Sequence, residues 1–148
     1  MELPSDMNKP LHIFIDSDAF VGLAKQDDTN HDKAIALLQK LSKQEVSLIT
    51  SNYVIAESIT VISQRESHKA AVGFIHQMQS GENIFRVQQA DVKLDKKAMD
   101  IFEKQTSKNT SFIDCTNMAI MTDLHVGAIF SFDHVYQQNG FTLIENLF

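Results

Sequence analysis

Four acidic residues, Asp16, Glu57, Asp114 and Asp133, stand where acids are expensive, with a fifth, Asp18, beside the first. Residues 10–24 are mostly apolar and carry only Asp16 and Asp18 as charges; residues 46–64 carry only Glu57, residues 109–122 only Asp114, and residues 124–144 only Asp133. Burying an isolated carboxylate costs several kcal/mol unless it is paired or bound to a metal, and none of these segments contains a lysine or arginine to pair with. Helix capping is an ordinary use for three of them. Asp16 precedes a helical stretch, Asp114 closes a capping-box pattern with Ser111, and Asp133 sits between a strand and a short helical turn. Glu57 falls inside a helix, where capping is impossible. If the four gather, carboxylates about 5 Å apart repel by roughly 3 kcal/mol per pair at an effective dielectric of 20, which cations or protonation relieve. An all-oxygen ligand set selects Mg²⁺ or Mn²⁺, one or two ions, over zinc or copper. Such a cluster is suited to phosphoryl chemistry.

The elements that would position these acids alternate. Apolar runs at 11–15, 46–50, 83–87, 128–132 and 141–144 read as strands. Helical patterns occupy about 18–26, 31–43, 51–64, 67–79, 91–105 and 111–124, with a short turn after Asp133. Alternation of this kind predicts an α/β fold, three layers with a central, mostly parallel sheet of about five strands covered on both faces. In such sheets ligands bind beyond the carboxyl ends of the strands, and Asp16 and Asp133 fall at two of those ends. Glu57 and Asp114 lie early in helices that follow other connections, so all four can converge on one edge.

The 148 residues suit one domain, at 10–148, behind an N-terminal tail at 1–9. No apolar stretch reaches the roughly 20 residues of a spanning helix, and the first ten residues lack an export signal, so a cytoplasmic protein without a membrane is expected. The single cysteine, Cys115, excludes an internal disulfide and multi-cysteine zinc sites. A formal net charge of -6 argues against a nucleic-acid partner, unless carboxylates are neutralised by divalent ions. One possible phosphate rail exists: Lys93, Lys97, Lys104 and Lys108 fall within about 60° of one another if the helix persists that far. Solvated lysines opposite an apolar face are the plainer account.

Taken in order, FIDSDAF, SNYVIAES, TSFIDCTNMA and FSFDHVYQQNGF resemble the PIN-domain nucleases over residues 11–144, with VapC-type toxins nearest in size. Asp16, Glu57, Asp114 and Asp133 match the family's four acids in turn. The resemblance implies a metal-dependent endoribonuclease with Asp16 and Asp114 as central ligands, and Glu57 and Asp133 completing the site directly or through water. It implies products with 5′-phosphate and 3′-hydroxyl ends, a single-stranded or looped RNA substrate, an antitoxin partner and a homodimer. Three positions depart from the family pattern or vary within it. Asp18 stands where a small polar residue is usual and is read as an accessory ligand or water holder. Ser131 replaces a commoner threonine, and Asn117 occupies a place that alternates between acid and amide. His31 and His134 are read as structural and surface residues.

Two other classes compete. FIDSD also satisfies the D-x-D opening of the haloacid-dehalogenase-like phosphatases, with Asp16 as nucleophile, but the Gly-Thr and the later acidic pair of that class are missing. A catalytically inactive PIN-like module that binds RNA or protein would retain the acids without using them.

Overall fold

The computed structural model describes residues 10–81 and 84–148. The expected tail at 1–9 and the first residue of the expected third strand, Asn83, lie outside them. Strand β1 (Leu11–Ile15) leads into helix α1 (Ser17–Ala24), followed by α2 (His31–Ser42), β2 (Val46–Ser51), α3 (Asn52–Arg65), α4 (His68–Gln79) and β3 (Phe85–Gln88). Then come α5 (Val92–Glu103), α6 (Phe112–Asp123), β4 (Ala128–Phe130), α7 (Val135–Gln138) and β5 (Thr142–Leu143), with a 3-10 turn at Ile144–Asn146.

The five strands form one parallel sheet in the order β3-β2-β1-β4-β5. Both faces are covered by helices, which is why Ile13, Phe14, Ile129 and Phe130 are all fully buried although their side chains alternate between faces. Each such side chain contributes roughly 1.5–3 kcal/mol by leaving water. The order has one reversal. From β1 the chain steps outward through β2 to β3, then returns past β1 to lay β4 on its other side, so the switch point lies between β1 and β4. A crevice opens at such a point, beyond the carboxyl ends of the two strands.

Helix starts follow local chemistry. Ser51, Ser67 and Asp91 cap α3, α4 and α5 by accepting from Val54, Ala70 and Leu94 amides at 3.0–3.1 Å. Gly140 ends α7 at a φ of 88°, a left-handed backbone that favours glycine, and the Phe141 amide closes back on the Tyr136 carbonyl at 3.0 Å. Several elements are shorter than their patterns suggest, among them α1, which ends at Ala24, and β5, which is Thr142–Leu143; two of the differences bear on the site. β4 stops at Phe130 instead of 132, because the amide of Phe132 and the hydroxyl of Ser131 turn toward Asp18. α5 stops at Glu103, so Lys104 is its C-cap and Lys108 lies in the following loop.

Candidate active site

The switch point is occupied by carboxylates. Asp16 is the residue after β1 and caps α1, with its Oδ1 accepting from the Ser17 amide at 2.8 Å. The capping reading and the chemical reading therefore hold together, since a cap uses one lone pair of a group that has about four. The same Oδ1 accepts from Asn117 Nδ2 at 3.1 Å, while Oδ2 accepts from the Ser131 hydroxyl at 3.1 Å and the Tyr136 hydroxyl at 2.8 Å. These donors come from α6, from the end of β4 and from α7. The site is where three remote parts of the chain meet at the end of β1.

Asp114 arrives from the first turn of α6. Its Oδ2 accepts from the Ser111 amide at 2.9 Å in a complete capping box, which leaves Oδ1 facing the Tyr136 hydroxyl at 3.2 Å. One phenol thus stands between Asp16 and Asp114, and Asn117 Nδ2 donates to it at 2.9 Å. Tyr136 itself is fully buried. Having a single hydrogen, it cannot donate fully to both acids. Sequence reading missed Tyr136: an aromatic residue three after Asp133 looks like core, and only the fold shows where its hydroxyl ends.

Asp18, in the first turn of α1, ties that helix to the segment after β4. Its Oδ2 accepts from the Phe132 amide at 2.8 Å and lies 3.1 Å from the Ser131 hydroxyl, whose one hydrogen is shared between Asp18 and Asp16. Its Oδ1 is out of contact with solvent and has no partner among the described residues; neither has Asn117 Oδ1. Asp133 is exposed at the mouth, where it accepts from the Val135 amide at 3.0 Å and its own amide donates to Ser131 at 3.1 Å. Glu57 reaches the site from α3 and is joined to it through Ser17, whose hydroxyl donates to Glu57 Oε2 at 2.9 Å while its amide holds Asp16.

The electrostatics follow from the crowding. Burial, then the neighbouring Asp18, pushes Asp16 up to about 8 from 3.8, against the hydrogen bonds of Tyr136 and Ser17. Burial raises Asp18 to about 6, with Asp133 adding to the effect and the Phe132 and Ser131 bonds opposing it. Asp114 is raised by burial and by Asp133, and the phenol of Tyr136 is raised by burial and by both inner acids. No lysine or arginine among the described residues pairs with any of the five acids. Nor do any three acidic, imidazole or thiol groups there stand ready-made at ligating distance. The donor set still fits a hard divalent cation: all oxygen, net negative, with one buried carboxylate oxygen unspent.

The other expected residues fall in different places. Lys97 forms an ion pair with Asp123, and Lys93 and Lys104 are exposed on or just beyond α5. His31 Nδ1 lies 2.7 Å from the Gly22 carbonyl, joining α2 to α1, and His134 is exposed against Gln137. Arg65, unremarked in the sequence, lines a cavity of about 260 Å³ with Glu57, Ser17 and Asp18.

A parallel sheet with carboxylates gathered at its switch point defines a class of protein. The PIN domain matches residues 13–141, and the chain belongs to that family. Within it the likeness is to the VapC type. Over 129 residues the chain is 29% identical to VapC20 of Mycobacterium tuberculosis, a 23S rRNA-specific endonuclease, covering 87% of this chain and 95% of that one, in strains CDC 1551 and H37Rv alike. The crystal structure of Mycobacterium tuberculosis VapC20, a sarcin-ricin loop cleaving toxin, aligns with a TM-score of 0.79 at 25% identity, covering 88% of this chain and 96% of that chain.

Proposed function

We propose that this protein is an endoribonuclease of the VapC type, the toxin of a toxin–antitoxin pair, hydrolysing RNA phosphodiester bonds with Mg²⁺ or Mn²⁺ at Asp16, Glu57, Asp114 and Asp133. The observation that carries the reading is the pairing of Asp16 and Asp114, two buried acids 98 positions apart in the chain, on the single hydroxyl of Tyr136, with no lysine or arginine among the described residues paired to either. Asp16 and Asp114 would hold the ion, with Asp133, Glu57 and Asp18 reaching it directly or through water. Bound there, a divalent cation lowers the pKa of a water nucleophile and stabilises charge on the phosphoryl oxygens. The chain's own part is positional. Ser131 and Asn117 fix the rotamer of Asp16, the capping box fixes Asp114, and Ser17 couples Asp16 to Glu57. Arg65 offers a positive charge beside Glu57 for a substrate phosphate.

The likeness to VapC20 supports a structured ribosomal RNA loop as the substrate class. An apolar groove of about 530 Å³, bordered by Phe20, Leu23, Ile35, Leu38, Phe74 and Ile84, supports a protein partner, read here as the antitoxin. The exposed Val92, Met99 and Phe102 on α5 support a homodimer. No helix among the described residues is long and apolar enough to cross a membrane, and the site of action is read as the cytoplasm. The phosphatase and the inactive module are not favoured: the family match is to PIN domains, and all four acids are present.

The test is incubation of the purified protein and its Asp16→Asn form with a synthetic hairpin carrying the sarcin-ricin loop, in Mg²⁺, Mn²⁺ or EDTA. Cleavage is expected only from the unaltered protein with metal. Cleavage that survives EDTA, or that the variant performs equally, overturns the proposal.

A further inference from the structure

Next to the acids the surface opens into a pocket of about 530 Å³, within the range of pockets that hold small organic groups. Asp18, Asn30, Asn109, Phe132, Asp133 and Gln138 contribute to its wall. Asp18 and Asp133 belong to the acid cluster, so whatever enters lies within about a nucleotide of the phosphate under attack. Asp18 and Asn30 also line the cavity that contains Arg65, so the two spaces adjoin on either side of the same residues. They differ in chemistry. The Arg65 cavity has a cation for a phosphate, whereas no lysine or arginine among the described residues lines the larger pocket, and two carboxylates there would repel one.

The larger pocket instead suits a neutral, flat, hydrogen-bonding group. Phe132 is half-buried, and its ring is held by an edge-on contact with Phe130 at 6.1 Å between centres and by the Lys33 ammonium 5.7 Å from its centre. A ring already fixed loses little freedom when something packs on it. The amide side chains around it are unspent. Asn30 stands at the N-cap of α2 without capping it, and the side chains of Asn30, Asn109 and Gln138 have no hydrogen-bond partner among the described residues. Each amide carries both a donor and an acceptor, the complement of a base edge.

We infer that this pocket takes one unstacked base of the RNA, from a nucleotide flanking the scissile phosphate, with Phe132 packing on it and Asn30, Asn109 and Gln138 reading its edge. The inference rests on the nuclease reading and adds its specificity determinants. A splayed base is available in loops and not in duplexes, so the pocket also selects looped RNA.

Cleavage of the sarcin-ricin hairpin is mapped first, and each nucleotide flanking the cut is then replaced by an abasic one. The unaltered protein should lose about tenfold in kcat/KM when one particular base is removed, the scale of a lost base–aromatic stack. Phe132→Leu should lose a similar factor on the intact hairpin and no more on the abasic one. Asn109 is exposed in a loop, so Asn109→Ala keeps the fold, and it should change the ranking of the four bases at that position. Indifference of the unaltered protein to every flanking base, or equal losses by the variants on intact and abasic RNA, overturns the pocket and leaves the nuclease standing. Absence of cleavage by the unaltered protein overturns both.

Discussion

Asp16 and Asp114 sit beneath the surface, Asp16 accepting from four neutral donors and Asp114 from the Ser111 amide and the shared Tyr136 hydroxyl, while Glu57 and Asp133 stand at the rim, each holding one donor through a single side-chain oxygen. The inner pair is expensive to keep charged and is locked in place by serine, asparagine and tyrosine from three other elements. The outer pair is partly solvated, and each carboxylate accepts one hydrogen bond, from the Ser17 hydroxyl and the Val135 amide. For the proposed nuclease this arrangement would put the most hydrogen-bonded carboxylate where charge must be concentrated and the more solvated ones toward the mouth.

That contrast predicts unequal losses. Asp16→Asn or Asp114→Asn should lower kcat by about a thousandfold or more, since each removes one of the two proposed central ligands. Glu57→Gln or Asp133→Asn should cost about 10–100-fold, the scale of a supporting ligand. Equal losses from all four, measured as single-turnover rates at saturating Mn²⁺, would dissolve the distinction between inner and outer acids.

Tyr136→Phe probes the lock itself. The phenol favours the ionised form of Asp16, so its removal should raise the half-saturating Mn²⁺ concentration at pH 7 by about tenfold, with the difference narrowing toward pH 9. The metal-free variant should also lose about 1–2 kcal/mol of stability for the broken hydrogen bonds. Titration of metal binding by calorimetry at the two pH values separates this from a purely structural defect, which would not depend on pH.

The smallest effect is on stability against pH. With Asp16 raised to about 8 and Asp18 to about 6, the folded metal-free protein holds protons that the unfolded chain releases above 3.8. The contribution of these groups is therefore complete below the unfolded value and disappears as pH rises through about 6 and then about 8. Denaturant midpoints in EDTA should fall from pH 5 to pH 9. Saturating Mn²⁺ should flatten or reverse the trend, because the ion takes the place of the protons.

Much of this molecule is legible residue by residue. Five strands, the helices between them and their serine and aspartate caps follow from apolar runs and local hydrogen-bonding chemistry, which act over a few positions. The four acids are legible for the same reason, as charges in segments that contain no partner. Less legible were the ends of β4 and α5. β4 ends early because Asp18, more than 110 positions away, takes the Phe132 amide, and the end of α5 leaves Lys104 and Lys108 off the stripe that Lys93 and Lys97 would share.

The amino-acid order alone determined that carboxylates would be spent at the strand ends and that an alternating α/β chain would carry them there, since periodicity and the cost of burying charge are properties of short stretches. Only the tertiary structure decided which acids are inner and which outer, that the Tyr136 hydroxyl stands between two of them, and that Asn30, Asn109 and Phe132 share a wall. Those facts depend on β4 returning to lie beside β1, and that placement depends on the packing of the whole core.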